Sequence, residues 1–232
     1  MQSLSIIIPV YNEEKTLLNV LNKVKKLHTI CDLEVIIVND GSSDKSKEII
    51  DNNENLFSKA IHLKKNSGKG KAVIEGIKNC NLDYILIQDA DLEYEPNDIK
   101  VFLEENKRFN YDLIMGSRFI GTRRSVLHFW HMLGNKFITF LFNLLNNTTF
   151  TDIYCCYCMF RRNSINVENL KCNNWGQQAE ILTYVVNKNS KIFEIGVNYH
   201  GRTYKEGKKI RYYDVFSVIY WIFATKIKKY FI

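Results

Sequence analysis

Three apolar runs that each stop abruptly at acidic or polar residues constrain this chain more than any other feature. Residues 4–10 (LSIIIPV), 33–39 (LEVIIVN) and 84–88 (YILIQ) are apolar on both alternating faces. A strand with that pattern is covered on both sides, which is the habit of parallel sheets flanked by helices. Between the first two, Leu17, Leu18, Leu21, Val24 and Leu27 repeat at helical spacing. This predicts a helix over residues 12–27, with Asn12 as N-cap ahead of Glu13 and Glu14. Shorter strands are expected at 59–63 and 112–116. Helices are expected near 45–52, over 68–78 behind a glycine-rich start, and from Pro96 to about residue 107. Strands alternating with helices imply right-handed βαβ units and an α/β fold: a Rossmann-like, mainly parallel sheet with helices on both faces.

Ligands of such sheets bind beyond the carboxyl ends of the strands. Four polar clusters fall at those ends: Tyr11-Asn12-Glu13, Asp40-Gly41-Ser42, Gly68-Lys69-Gly70 and Asp89-Ala90-Asp91. Asp89 and Asp91 flank a small residue, and two carboxylates this close repel unless a cation lies between them or one is protonated. Hard oxygen ligands suit Mg2+ or Mn2+, which keep few protein ligands and complete their shells with water and substrate phosphates. Asp40 can accept hydrogen bonds from a base or ribose, and Ser43 or Asp44 reads as the N-cap of the next helix. Gly68-Lys69-Gly70 can offer N–H groups and a cation to phosphate, although position 63 is Leu and a Walker A loop is absent. No G-x-S-x-G, H-E-x-x-H or G-x-G-x-x-G pattern competes with this site.

The net charge is +7, and it is unevenly placed. Residues 199–232 hold 8 of the 32 basic residues and 2 of the 25 acids. Arg202 and Lys208 or Lys209 in this segment can clamp a phosphate, whereas Lys226, Lys228 and Lys229 by themselves read as a solvated helix face. Nucleic acid is not the expected partner, because the acids at 40, 89 and 91 oppose a polyanion. Cys155-Cys156-Tyr157-Cys158 is too tightly spaced for a zinc knuckle, and the 6 cysteines are expected to be reduced. Residues 126–145 and 214–232 mix aromatic and aliphatic side chains with scattered polar ones. Both are poor membrane spans: the first suits one or two amphipathic helices and the second one, lying on a core or in a bilayer interface. Residues 1–5 lack a basic n-region and Ile6-Ile7-Ile8 is short for a signal sequence. The expectation is a cytoplasmic protein, peripheral at the cytoplasmic face of a membrane.

Taken together, IIIPVYNEE (6–14), VIIVNDGSSD (35–44), KNSGKGKAVIEGI (65–77), ILIQDADLEYEP (85–96), DLIMGSRF (112–119), TDIYCCY (151–157) and YHGRTYKEGKKI (199–210) resemble the family 2 glycosyltransferases of GT-A fold. The likeness is greatest to their dolichyl-phosphate mannose synthase-like, polyprenyl-phosphate branch. The resemblance implies one GT-A domain over residues 1–232. Its nucleotide-sugar half would be 1–120, its acceptor-side half 121–212 and its C-terminal amphipathic helix 213–232. It implies that Pro9, Tyr11, Glu13 and Asp40 hold the nucleoside and that Lys69, Gly70, Asp89, Ala90 and Asp91 line the donor site. It further implies that Asp89, Asp91 and Glu93 bind Mg2+ or Mn2+. Arg118 would meet the sugar or the acceptor phosphate, with Arg202 and Lys208 on phosphates. The implied reaction is inverting transfer of a hexose from a GDP-mannose or UDP-glucose type donor to a polyprenyl or dolichyl phosphate. The implied partners are that donor, a lipid-linked phosphate, a membrane surface and a separate membrane-anchoring protein. Cys158 and the stretch Gln177-Gln178-Ala179 depart from the branch pattern, which leaves a sugar hydroxyl as the alternative acceptor.

Overall fold

The computed structural model describes residues 2–121, 129–202 and 214–231. In chain order the elements are β1 (Ser3–Val10), α1 (Leu17–Lys25), β2 (Asp32–Asn39), α2 (Ser46–Asp51), β3 (Lys59–His62), α3 (Lys69–Lys78) and β4 (Tyr84–Ile87). They continue with α4 (Ile99–Phe109), β5 (Leu113–Ser117), α5 (Phe129–Asn146), β6 (Cys158–Arg161), α6 (Gln177–Val185), β7 (Ile192–Gly196) and α7 (Asp214–Tyr230). The seven strands form one sheet in the order β3-β2-β1-β4-β6-β5-β7. Neighbours are parallel except at β6, which runs antiparallel to both β4 and β5.

The apolar runs lie where their pattern requires. Ile6, Ile7 and Ile8 of β1, Val35, Ile36, Ile37 and Val38 of β2, and Ile85, Leu86 and Ile87 of β4 have no exposed surface. Burial of each such side chain stabilises the fold by about 1.5–3 kcal/mol before the entropy of ordering is set against it. Helix α3 lies directly on the sheet: a Cβ at Gly76 would overlap the side chain of Ile7.

Several boundaries differ from the sequence expectation, with identifiable causes. Asn12 is not an N-cap. It has φ 53°, its Oδ1 accepts from the Ser43 N–H at 2.8 Å, and its N–H donates to Ser42 Oγ at 3.1 Å. That cross-link between strand-end loops delays α1 until Leu17. Helix α2 has Lys45 at its N-cap, while Asp44 Oδ1 accepts from the Ser46 N–H at 2.9 Å. Within the expected helical segment 126–145, residues 129–145 belong to the single helix α5, and residues 126–128 lie outside the described residues. Strands β6 and β7 and helix α6 were not expected at all.

Strand β1 is followed in space by β2 on one side and by β4 on the other. Strand order therefore reverses between β1 and β4, and a crevice opens beyond their carboxyl ends. Tyr11 to one side and Asp89 to the other flank that crevice. The Gly76–Ile7 contact holds α3, and hence its Lys69 end, against the same strand. Gly76→Leu is expected to lower stability by about 1–3 kcal/mol through overpacking. In urea denaturation this should appear as a lower midpoint with an unchanged m-value.

Candidate active site

The Asp89-Ala90-Asp91 triplet leaves β4 on a rigid footing. Gln88 is fully buried; its Nε2 donates to the Asp89 carbonyl at 3.0 Å and its Oε1 accepts from Tyr157 Oη at 2.7 Å. Ala90 is buried, and its carbonyl accepts from Thr16 Oγ1 at 2.7 Å. The two carboxylates then diverge. Asp89 Oδ1 accepts from Lys69 Nζ, and Asp91 Oδ2 accepts from Arg202 Nη2.

Arg202 draws three acids together. Its Nη1 reaches both oxygens of Glu13 at 3.1 and 3.2 Å, and its Nε reaches Glu93 Oε1 at 3.3 Å. Its own N–H donates to Glu93 Oε1 at 3.0 Å. The neighbouring backbone fixes this arrangement. Tyr94 and Tyr199 form an antiparallel bridge, the His200 N–H donates to the Glu93 carbonyl at 2.8 Å, and Tyr199 Oη donates to Glu93 Oε2 at 2.9 Å.

Lys69 opens α3 and lies under several groups. Its Nζ contacts Cys156 Sγ at 3.2 Å and stands 5.7 Å from the centroid of the Trp175 ring. Burial pulls the ammonium pKa down, but the Asp89 carboxylate and the Cys156 sulfur together outweigh it and the net shift is upward. Asp91 shows the opposite balance. Burial, then the charges of Asp89 and Glu93, raise its pKa to about 7 despite Arg202.

The site residues expected from sequence fall into three groups. Glu13, Lys69, Gly70, Asp89, Ala90, Asp91, Glu93 and Arg202 form this strand-end cluster, with Pro9 and Tyr11 on the β1 side of it. Asp40 and Arg118 are committed to protein partners. Asp40 is buried; its Oδ1 accepts from the Ser67 N–H at 2.7 Å and its Oδ2 from the Gly68 N–H at 2.9 Å. Burial raises its pKa. It thereby holds the turn in which Gly68 has φ 96°, a conformation that favours glycine. Arg118 forms a two-pronged bridge to fully buried Asp152, with Nε–Oδ2 at 2.7 Å and Nη2–Oδ1 at 2.8 Å. Its guanidinium lies over the Tyr199 ring at 5.3 Å, so Tyr199 joins it to Glu93. Lys208 lies outside the described residues.

The structure does not gather Asp89, Asp91 and Glu93 into one ligand set. Among the described residues no three His, Cys, Asp or Glu side chains converge to hold a metal ion. The reason is electrostatic: the acids are spread over two basic side chains, Lys69 for Asp89 and Arg202 for Asp91 and Glu93. The donor chemistry nevertheless suits a hard divalent ion. Asp89 and Asp91 offer carboxylate oxygens two residues apart, and burial followed by the charges of Asp89 and Glu93 disfavours an ionised Asp91 unless further positive charge is brought to it.

Sequence reasoning missed Gln88, Cys156 and Trp175. Cys156 lies in the TDIYCCY motif that carries the family resemblance, yet nothing in the sequence directs it to Lys69, and Trp175 has no pattern of its own. All six cysteines are free thiols, as expected.

An α/β sheet whose reversal point carries an acidic D-x-D loop, a lysine and an arginine defines a GT-A sugar-nucleotide transferase fold. The chain belongs to glycosyl transferase family 2, whose family model matches residues 5–167. A relative from Methanocaldococcus jannaschii, itself uncharacterized, is 30% identical, with 88% of this chain and 93% of that one covered. The undecaprenyl-phosphate 4-deoxy-4-formamido-L-arabinose transferase of Photorhabdus laumondii is 29% identical over 89% of this chain. The dolichyl-phosphate beta-glucosyltransferase of Trichomonas vaginalis is 28% identical over 85% of it. The chain spans 63% and 65% of the lengths of these last two relatives. Among solved structures, glucosyl-3-phosphoglycerate synthase of Mycobacterium tuberculosis, with Mn2+, uridine diphosphate and phosphoglyceric acid, superposes at TM-score 0.70. That match is 14% identical and covers 97% of this chain and 78% of the other. It confirms the expected fold.

Protons and a divalent ion compete for Asp91, because only the carboxylate is a ligand. With a pKa raised to about 7, Asp91 is mostly ionised at pH 8 and mostly protonated at pH 6. Mn2+ affinity is therefore expected to fall as pH drops through 7, and Asp91→Asn should flatten that dependence. Titration calorimetry at a series of pH values checks both.

Proposed function

We propose that this protein transfers a hexose, with inversion, from a nucleotide-diphosphate sugar of the GDP-mannose or UDP-glucose type to a polyprenyl or dolichyl phosphate. The observation that carries the reading is the pairing of Asp89 with Lys69 and of Asp91 with Arg202 at the β1/β4 crevice. The two polyprenyl-phosphate relatives support the choice of acceptor.

Asp89 and Asp91 would hold Mg2+ or Mn2+, which when bound offsets negative charge on the leaving diphosphate. Lys69 and Arg202 are the cations beside these carboxylates and would turn to phosphate oxygens of the donor. Arg202 suits this because its fork matches two oxygens at once. Pro9, Tyr11 and Glu13 would border the nucleoside, with Asp40 shaping the turn beside it. An acceptor phosphate is already ionised at neutral pH. The chain therefore needs to supply position and charge more than a general base. Arg118, held flat by Asp152 and Tyr199, would present its remaining edge to the sugar or the acceptor phosphate, and Lys208, outside the described residues, would add a further cation for phosphate.

A lipid-linked acceptor calls for an apolar landing surface, and α5 and α7 supply one. They pack together, and Lys226 Nζ donates to Asn146 Oδ1 at 3.1 Å. Phe129, Trp130, Phe137, Phe140 and Leu144 of α5 are exposed, as are Phe216, Tyr220, Phe223, Ile227 and Tyr230 of α7. Buried Val218, Ile222 and Thr225 line the opposite stripe of α7. Among the described residues no helix is long and apolar enough to cross a membrane. These outer faces would instead lie in the interface of a cytoplasm-facing leaflet, with aromatic rings at headgroup depth. A membrane-anchoring partner protein would reinforce that attachment.

Radiolabelled GDP-mannose or UDP-glucose, incubated with Mg2+ or Mn2+ and a short polyprenyl phosphate, is expected to label the organic phase. Label appearing only on a soluble sugar would assign a hydroxyl acceptor instead. Asp91→Ala is expected to lower turnover by about 100-fold or more, the scale of losing a main electrostatic contact. Its metal-dependent nucleotide binding should disappear.

Substituting Phe216, Tyr220 and Phe223 by Ser is expected to abolish flotation with anionic liposomes while nucleotide binding persists. Retained flotation would remove the interfacial role.

A further inference from the structure

Helix α7 has a second face, and that face reaches the donor site. Its half-buried Trp221 rests on Gly176: a Cβ there would meet the indole Cδ1 at 2.5 Å. Gly176 begins α6 and ends the loop formed by residues 172–176. The other end of that loop is tied to buried Glu180. The Glu180 carboxylate accepts from the Lys171 N–H at 2.9 and 3.1 Å and from the Cys172 N–H at 2.9 Å. The loop therefore has a fixed entrance and a fixed exit.

What it lies on is the Gly68-Lys69-Gly70 turn. The Asn173 carbonyl takes the space a Cβ at Gly68 would need, and the Cys172 carbonyl does the same at Gly70. The Lys71 N–H donates to the Asn173 carbonyl at 3.3 Å. At the loop's tip the half-buried Trp175 ring stands 5.7 Å from Lys69 Nζ, within cation–π range. Helix α7 also grips the far end of α6, where Lys229 Nζ donates to the carbonyls of Thr183, Tyr184 and Val186. Helix α6 and its leading loop are thus clamped at both ends by α7.

We propose that Trp221 and Trp175 are positioning residues for Lys69: Trp221 wedges Gly176 and sets the 172–176 loop, whose Trp175 ring and carbonyls aim the Lys69 ammonium along the donor diphosphate. This rests on the reading of Lys69 as a diphosphate ligand. Neither tryptophan touches the reacting atoms. Their effect passes through the direction of one lysine, as the support of a binding group by its packed surroundings does. The C-terminal helix is then part of the donor site as well as the landing surface.

The test is a double-mutant cycle on binding of GDP or UDP with Mn2+ by the full chain, read by titration calorimetry. Lys69→Ala is expected to weaken nucleotide binding by about tenfold or more, as loss of a charged hydrogen-bond donor does. Trp221→Ala and Trp175→Ala are each expected to weaken it by about three- to tenfold, the scale of a lost cation–π contact and its support. In the Lys69→Ala background neither tryptophan substitution should matter further, a non-additivity that general destabilisation does not produce. Trp221→Phe should restore most of the affinity. If Trp221→Ala does not fold, Gly176→Ala strains the same contact from the other side and should give the same loss. Unchanged affinity in Trp221→Ala and Gly176→Ala, or losses fully additive with Lys69→Ala, would overturn the inference alone. Unchanged affinity in Lys69→Ala would overturn the diphosphate reading and the inference with it.

Discussion

Carboxylates that converge at the end of a buried sheet repel one another, and most of this site can be understood as a response to that repulsion. Parallel strands β1 and β4 deliver Glu13, Asp89, Asp91 and Glu93 into one crevice. Each acid is stabilised only if a cation is brought to it, so a lysine from the start of α3 and an arginine from beyond β7 are drawn across the crevice. Burial, and then the neighbouring charges of Asp89 and Glu93, raise the Asp91 pKa in spite of Arg202. The rest of the structure is arranged to keep these partners in reach: Gly76 against Ile7, Asp40 under the glycine turn, and the 199–202 segment laid along Glu93 and Tyr94.

Ion pairs in a partly buried site are weak evidence for stability, because desolvation takes back much of the Coulomb gain. They are better read as an exchange reaction waiting for a partner. In the proposed reaction Asp89 and Asp91 would hold a divalent ion, and Lys69 and Arg202 are the nearby cations that would meet phosphate. Arg118 and Asp152 are different. Their bridge is bidentate, nearly sealed from solvent and tied to the Arg118 backbone N–H as well, at 3.1 Å. That bridge fixes a guanidinium plane, whereas the Asp91–Arg202 pair can part.

Which parts were legible in the sequence follows from what each segment buries. Strands β1, β2 and β4 are covered on both faces by uniform apolar side chains, so their composition announced them. Helix α6 did not announce itself because its buried positions include Gln177, Gln178, Glu180 and Thr183. A helix that buries polar side chains beside apolar ones has no apolar stripe to read. Strand β6 is four residues long and antiparallel between two strands of the alternating pattern, so nothing in βαβ logic calls for it. The start of α1 was misplaced because Asn12 spends its side chain on a neighbouring loop instead of on its own helix. Asp89, Asp91 and Lys69 lie at the crevice because the topology sends the end of β4 and the start of α3 there. Trp175 was not legible, because only the packing of α6 and α7 brings it there.

The C-terminal lysines show how far composition can mislead about role. Lys226, Lys228 and Lys229 read as a solvated face, yet each has a protein acceptor: Asn146 Oδ1, the Asn169 carbonyl and the end of α6. Burial, and then the nearby charge of Lys226, lower the pKa of Lys229, a cost accepted for capping three carbonyls that a helix end leaves unsatisfied. With its lysines turned inward, α7 is left with an outer surface of aromatic and aliphatic side chains. In the proposed reading one helix separates two tasks by face: apolar contact on the outside and support of the donor loop on the inside.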